Sequence, residues 1–152
     1  MARARRGNKR AELTFTFATG DAGNWLVPLR PAELGTGGKI VRAVFEMLTG
    51  NVTGTFDFVV FNGPYDLPNM VTADIATIVT DVHRRVVYAT GASSSAPDET
   101  DLRATPATYA AHASSNPADD AAAETVGVSI KAPATVTTGG TARLVLYAED
   151  CD

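Results

Sequence analysis

Residues 39–61, KIVRAVFEMLTGNVTGTFDFVVF, carry the pattern that decides the fold. Side chains alternate between two faces along both halves, as they do in a β-strand, where successive residues point to opposite sides. In the first half Val41, Ala43, Phe45 and Met47 share one face. Ile40, Val44 and Leu48 share the other with Arg42 and Glu46. The second half, VTGTFDFVVF, sets Phe56, Phe58 and Val60 against Thr55, Asp57 and Val59. Thr49-Gly50-Asn51 between them is a turn signal, so the spacing predicts a hairpin.

The same alternation recurs outward along the chain. ELTFTF (residues 12–17), TVGVSIK (125–131) and TARLVLYA (141–148) each separate an apolar from a polar face. VHRRVVYAT (82–90) reads as a further strand. WLVPLR (25–30) reads as a weaker one, placed at a sheet edge by Pro28, which has no N–H for a ladder. PATVTTGG (133–140) supplies a short β-branched piece and a Gly139-Gly140 turn. NMVTADIATIVTD (69–81) is open between a helix capped by Asn69 and an extended segment, since Thr, Val and Ile favour strands. Short strands punctuated by turns predict an all-β fold, an antiparallel β-sandwich or jelly-roll-like domain.

Residues 91–125 differ in composition. Eleven of the 35 are alanine, and serine, proline and acids make up much of the rest. Asn116-Pro117 followed by ADDAAAE predicts a helix start, with a cap, proline at the first helical position and acids at the positive helix end. We read the whole stretch as an excursion between two strands, functional or partly helical.

With 152 residues, 45% hydrophobic and 20% charged, the chain fits one globular domain. No apolar run is long enough to cross a bilayer, and the basic N-terminus lacks the apolar core of a signal peptide. These features predict synthesis in the host cytoplasm without secretion, and no membrane partner. Cys151 is the single cysteine and lies between two aspartates, which disfavours a thiolate.

Motifs that would carry chemistry are incomplete. GTGGKI (35–40) has Glu33 and Ile40 where a phosphate-binding loop needs glycine and Ser or Thr. GASSSA (91–96) lacks the second glycine of a nucleophile elbow. His83 and His112 have no second ligand at metal-binding spacing. The acids at Asp98, Glu99 and Asp101, and at Glu149, Asp150 and Asp152, lack a calcium-loop pattern and read as solvated loop groups. Asn51-Val52-Thr53 reads as a turn rather than a glycosylation site. The expectation is therefore a protein that is not an enzyme, with no catalytic residue, no cofactor and no metal.

One charge asymmetry needs a partner. The opening MARARRGNKR holds Arg3, Arg5, Arg6, Lys9 and Arg10, a charge of +5, so a net charge of −4 leaves −9 on residues 11–152. We read residues 1–11 as a basic N-terminal arm and residues 12–152 as the sandwich domain, with the excursion at 91–125. Ordering such an arm costs roughly 1–2 kcal/mol per backbone. Exposed ion pairs return only about 0.2–1 kcal/mol each. An ordered arm therefore calls for backbone pairing to a sheet edge or burial between subunits. The acidic body makes a protein surface, including that of another copy of the chain, the first expectation for its partner. A solvated tail with no partner is the next reading, and nucleic acid ranks below it, because the body has no basic stripe or stacking aromatics. Among aromatics, Trp25, Tyr65 and Tyr109 are the candidate interface or ligand residues.

The N-terminal alternating strand, KIVRAVFEMLTGNVTGTFDFVVFNGPYDLP (39–68) and TGGTARLVLYAE (138–149) together resemble small β-sandwich proteins of tailed-bacteriophage particles. These sit among the head decoration and minor virion structural proteins. The resemblance implies a non-enzymatic protein on the particle surface that clamps neighbouring capsid subunits, as trimers or through extended arms. It assigns no site residue. The function expected is that of a virion structural protein, a head decoration or cement protein, or a minor capsid protein. Its partners would be capsid or other virion proteins and itself. The alternative is a carbohydrate- or surface-binding module of a tail or fibre, with Trp25, Tyr65 and Tyr109 in its site.

Overall fold

The computed structural model describes residues 8–62, 67–81, 85–86, 88, 97–110 and 126–150. Arg3, Arg5, Arg6, Tyr65, His83, His112, the Asn116-Pro117 helix start and Cys151 lie outside the described residues. In chain order the strands are β1 (Asn8–Phe17), β2 (Gly37–Met47), β3 (Asn51–Thr53), β4 (Asp57–Phe61) and β5 (Arg85–Val86). They continue with β6 (Asp98–Asp101), β7 (Ala107–Ala110), β8 (Gly127–Lys131), β9 (Thr135–Thr138) and β10 (Gly140–Glu149). Among the described residues one α-helix, α1 (Thr72–Thr80), lies between β4 and β5.

The fold is all-β, and every strand pairing is antiparallel. A five-stranded sheet runs β1-β10-β2-β6, with β7 also on β2, and a three-stranded sheet runs β5-β4-β8. β3 and β9 form a small separate ladder. The two large sheets share one core: Leu13, Phe15 and Phe17 of β1, Phe45 of β2 and Leu144 and Leu146 of β10 meet Phe58, Val60, Val128 and Ile130. Phe56 joins the layers, with ring centroids 5.3 Å from Phe17 and 4.9 Å from Phe45. Both separations are those of favourable aromatic pairs.

The expected hairpin of residues 39–61 does not form. β2 pairs with β10, β6 and β7, whereas β4 pairs with β5 and β8, so the two halves lie in opposite sheets. The physical reason lies in β4, which is apolar on both faces. Phe58 and Val60 enter the shared core, while Val59 and Phe61 pack with Leu67, Ile75 and Ile78. A strand that must be covered on both sides belongs in the middle of a sheet under a helix. That requirement also settles residues 72–80 as helical, with Val71 rather than Asn69 at the cap position, because Ile75 and Ile78, three apart, reach the same face. Asp74 accepts the Val71 N–H at 3.0 Å and closes the first turn.

Two further expectations change. Ile40, placed opposite the core face, is fully buried within it, because a β-bulge opposite Tyr147/Ala148 skips Val41 and reverses the alternation. In the excursion, the described residues form β6 and β7 along the edge of β2. Gly140 is required at the start of β10, since a Cβ there would lie 2.2 Å from the Thr49 carbonyl oxygen.

Candidate functional site

The basic end of the chain begins as a strand. β1 starts at Asn8, and Lys9 and Arg10 pair with Ala148 and Tyr147 of β10. Backbone pairing to a sheet edge therefore does order this part of the arm, and the edge is the chain's own. Alternation then separates the two cations. Lys9 faces inward, where its Nζ donates to the carbonyls of Leu34 (3.2 Å) and Gly37 (2.8 Å) and pairs with Asp150 at 2.8 Å. Its expected role as a partner-binding cation is replaced by closure of the core's open end.

Arg10 faces outward into a row of charges across the five-stranded sheet. Its guanidinium pairs with Glu12 at 3.2 Å and lies 5.9 Å from the Tyr147 ring centroid, over whose ring Arg42 also sits at 4.7 Å. Tyr147 and Glu12 raise the Arg10 pKa above its usual value. Alongside, Arg143 meets Glu46 at 2.6 Å and Glu12 at 3.7 Å, and Arg42 meets Glu99 at 2.7 Å. Arg103 grips Asp101 at 2.6 Å and, through hydrogen bonds from its side chain and backbone, lowers that carboxyl from 3.8 to about 2. Cations and anions on this face thus satisfy one another across the strands.

The opposite situation holds beside the free side of β1. Thr14, Phe15 and Thr16 line a groove of about 450 Å³ together with Trp25–Val27, Leu29 and Met70–Thr72, and Asp21 at one end. Three consecutive residues of a strand can line one groove only when it approaches the strand's edge, because alternate side chains point to opposite faces. The facing wall is also an edge. Residues 24–29 run along β8 through the bridges Trp25↔Lys131 and Leu29↔Val128, with Pro28 among them, as expected for an edge segment. Ser129 ties this wall down by donating its hydroxyl to the Leu26 carbonyl. Thr72 Oγ1 donates to the Trp25 carbonyl at 3.1 Å, fixing the start of α1 beside it.

The groove exposes apolar side chains beside the hydroxyls of Thr14 and Thr16. Val27 and Val71 are 52% and 60% exposed, and Trp25 and Met70, half-buried, pack on the cluster beneath α1. Trp25 therefore reaches the surface of the groove. Tyr109 does not: it is 1% exposed, and its hydroxyl donates to the Leu34 carbonyl at 2.6 Å, so it is a core residue rather than a surface one. Its pairing opposite Gly38 in the sheet carries the ring inward. Sequence reasoning missed Val27 and Val71. The available signal was an apolar residue on a proline-marked edge and another just before a helix.

Among the described residues no group of three or more His, Cys, Asp or Glu is placed to hold a metal ion. No described helix is long and apolar enough to cross a membrane.

Fold and groove together define an antiparallel β-sandwich with a sheet edge, β1, that no other described strand pairs with beyond β10, flanked by the exposed side chains of Val27 and Val71. No family model matches the chain, and no curated protein matches it. Among solved structures, one titled "Structure of infectious bursal disease virus Gt strain" is similar at a TM-score of 0.36 and 10% sequence identity. The overlap takes in 97% of this chain and 38% of that one, so the chain spans well under half of its length.

Proposed function

We propose that the protein is a structural subunit of a virus particle, a head decoration or minor capsid protein that binds neighbouring subunits and carries out no reaction. The observation that supports this reading best is the groove. Val27 and Val71 expose apolar surface beside an unpaired strand edge, a combination suited to receiving an extended segment of another chain. The resemblance of residues 39–68 and 125–149 to small phage-particle sandwiches points the same way. Many copies of a modest contact give strong attachment when a lattice presents them together.

The test is the protein content of purified particles of the virus that encodes the chain. The expected result is a fixed, high copy number on the particle surface, lowered by Val27→Asp. Absence from particles sinks the reading.

One observation favours a second reading, a carbohydrate-binding module: Trp25 shares its groove with the hydroxyls of Thr14, Thr16 and Thr72 and the carboxylate of Asp21. Glycan binding that disappears in Trp25→Ala, with particle incorporation unchanged, would select it.

A further inference from the structure

β1 is ten residues long and lies at the rim of its sheet, with β10 on one side. Among the described residues, no backbone hydrogen bond other than the β10 ladder reaches Asn8–Phe17. Natural sheets usually blunt such a rim with proline, a bulge or an inward-facing charge. β1 contains no proline, and its register with β10 runs unbroken from Asn8↔Glu149 to Phe17↔Gly140. Its one inward-facing charge, Lys9, is drawn away onto Leu34, Gly37 and Asp150. Nothing on the strand repels an added neighbour.

We propose that β1 pairs antiparallel with β1 of a second copy, about a two-fold axis at Ala11, so that the two five-stranded sheets become one. A two-fold contact is self-complementary: if one residue faces another, the reverse holds on the other side of the axis. Charge selects the register. About Ala11, Arg10 faces the second copy's Glu12 while Glu12 faces its Arg10, and Asn8 faces Thr14. Moving the axis by one residue sets Glu12 against Glu12 or Arg10 against Arg10, and like charges directly opposite are destabilising. Moving it to Leu13 sets Arg10 against Thr16 and Glu12 against Thr14, with no ion pair. The Ala11 register alone among these gives two reciprocal attractions.

In that register the second copy's Asn8 arrives at Thr14, where the groove begins. The inference thus deepens the assembly reading by naming the contact between copies, and it rests on that reading only for its setting.

Light scattering on the full chain, across protein concentration and salt, tests it. The expected result is a dimer that weakens as salt screens the exposed charges. Glu12→Arg replaces two attractions with two repulsions, so its dissociation constant should rise about tenfold to thirtyfold, with the circular dichroism unchanged. The double substitution Arg10→Glu with Glu12→Arg swaps the charges and should restore most of the affinity. A wild-type monomer at high micromolar concentration overturns the proposal, as does a Glu12→Arg protein that dimerises normally or a charge swap that fails to recover. A monomer that still enters particles overturns the pairing and leaves the assembly reading standing. A dimer absent from particles does the reverse.

Discussion

The outer face of the five-stranded sheet and the groove at its rim are built from the same strand, yet they solve opposite problems. On the face, Arg10, Glu12, Arg143 and Glu46 form a run of ion pairs across β1, β10 and β2, and Arg42 pairs separately with Glu99 between β2 and β6. In the groove, Val27 and Val71 face solvent beside backbone that the described chain leaves unpaired. Charges already matched within the chain gain little from a partner away from the rim, where Arg10 and Glu12 alone would also face their counterparts in a second copy. A surface with bare apolar side chains and free strand edge gains a great deal. The contrast teaches where to look for contacts: at the rim rather than on the broad face.

The largest effect should come from the core that both regions share. Phe56→Ala removes the ring joining Phe17 and Phe45, and should lower unfolding stability by about 3–5 kcal/mol in urea titration. Face and groove should then be lost together, in one transition. Tyr109→Phe keeps the buried ring and removes only its bond to Leu34, so about 1 kcal/mol is expected by the same measurement. On the charged face, Glu46→Gln breaks the contact with Arg143 and should cost only about 0.2–1 kcal/mol, because both groups remain partly exposed. A larger loss would mean that the face is a tightly coupled network. Val27→Asp combined with Val71→Asp should leave stability within about 0.5 kcal/mol while cutting incorporation into particles. That separation of binding from folding is the sharpest form of the contrast.

Acid offers the smallest probe. The Asp101 carboxyl titrates at about 2 in the folded chain, against 3.8 for the unperturbed group. Its folded value is lowered, so the stability it contributes is present above the unfolded value and lost as pH falls through the folded one. Asp101→Asn should therefore differ from wild type in thermal unfolding near pH 5, and the difference should vanish by pH 2. Full exposure of the pair keeps the effect small.

Much of this architecture can be read from alternation. The strands at residues 12–17, 125–131 and 141–148 stand where the pattern puts them, because a half-buried strand must repeat every second residue. Reading failed where one strand served two masters. β4 is apolar on both faces, so its alternation is blurred and its partners, β5 and β8, are distant in sequence. Lys9 hid the start of β1 because a lysine at a core-facing position looks like arm. Only the carbonyls of Leu34 and Gly37, brought in by folding, explain it. Tyr109 was misread because an alanine-rich neighbourhood suggests a loop, and only pairing with β2 reveals a strand.

The order of strands also bears on how the molecule is made. β10 lies between β1 and β2, so the last of the described strands in chain order must enter between the first two of them, closing contacts as distant as Asn8 and Glu149. Loops this long make folding slow. On the ribosome β1 and β2 wait without their common neighbour until residues 140–149 emerge, and adjacent nascent chains could exchange that strand. Yield of soluble protein should therefore fall with crowding of translation more steeply than the stability of the finished fold would suggest.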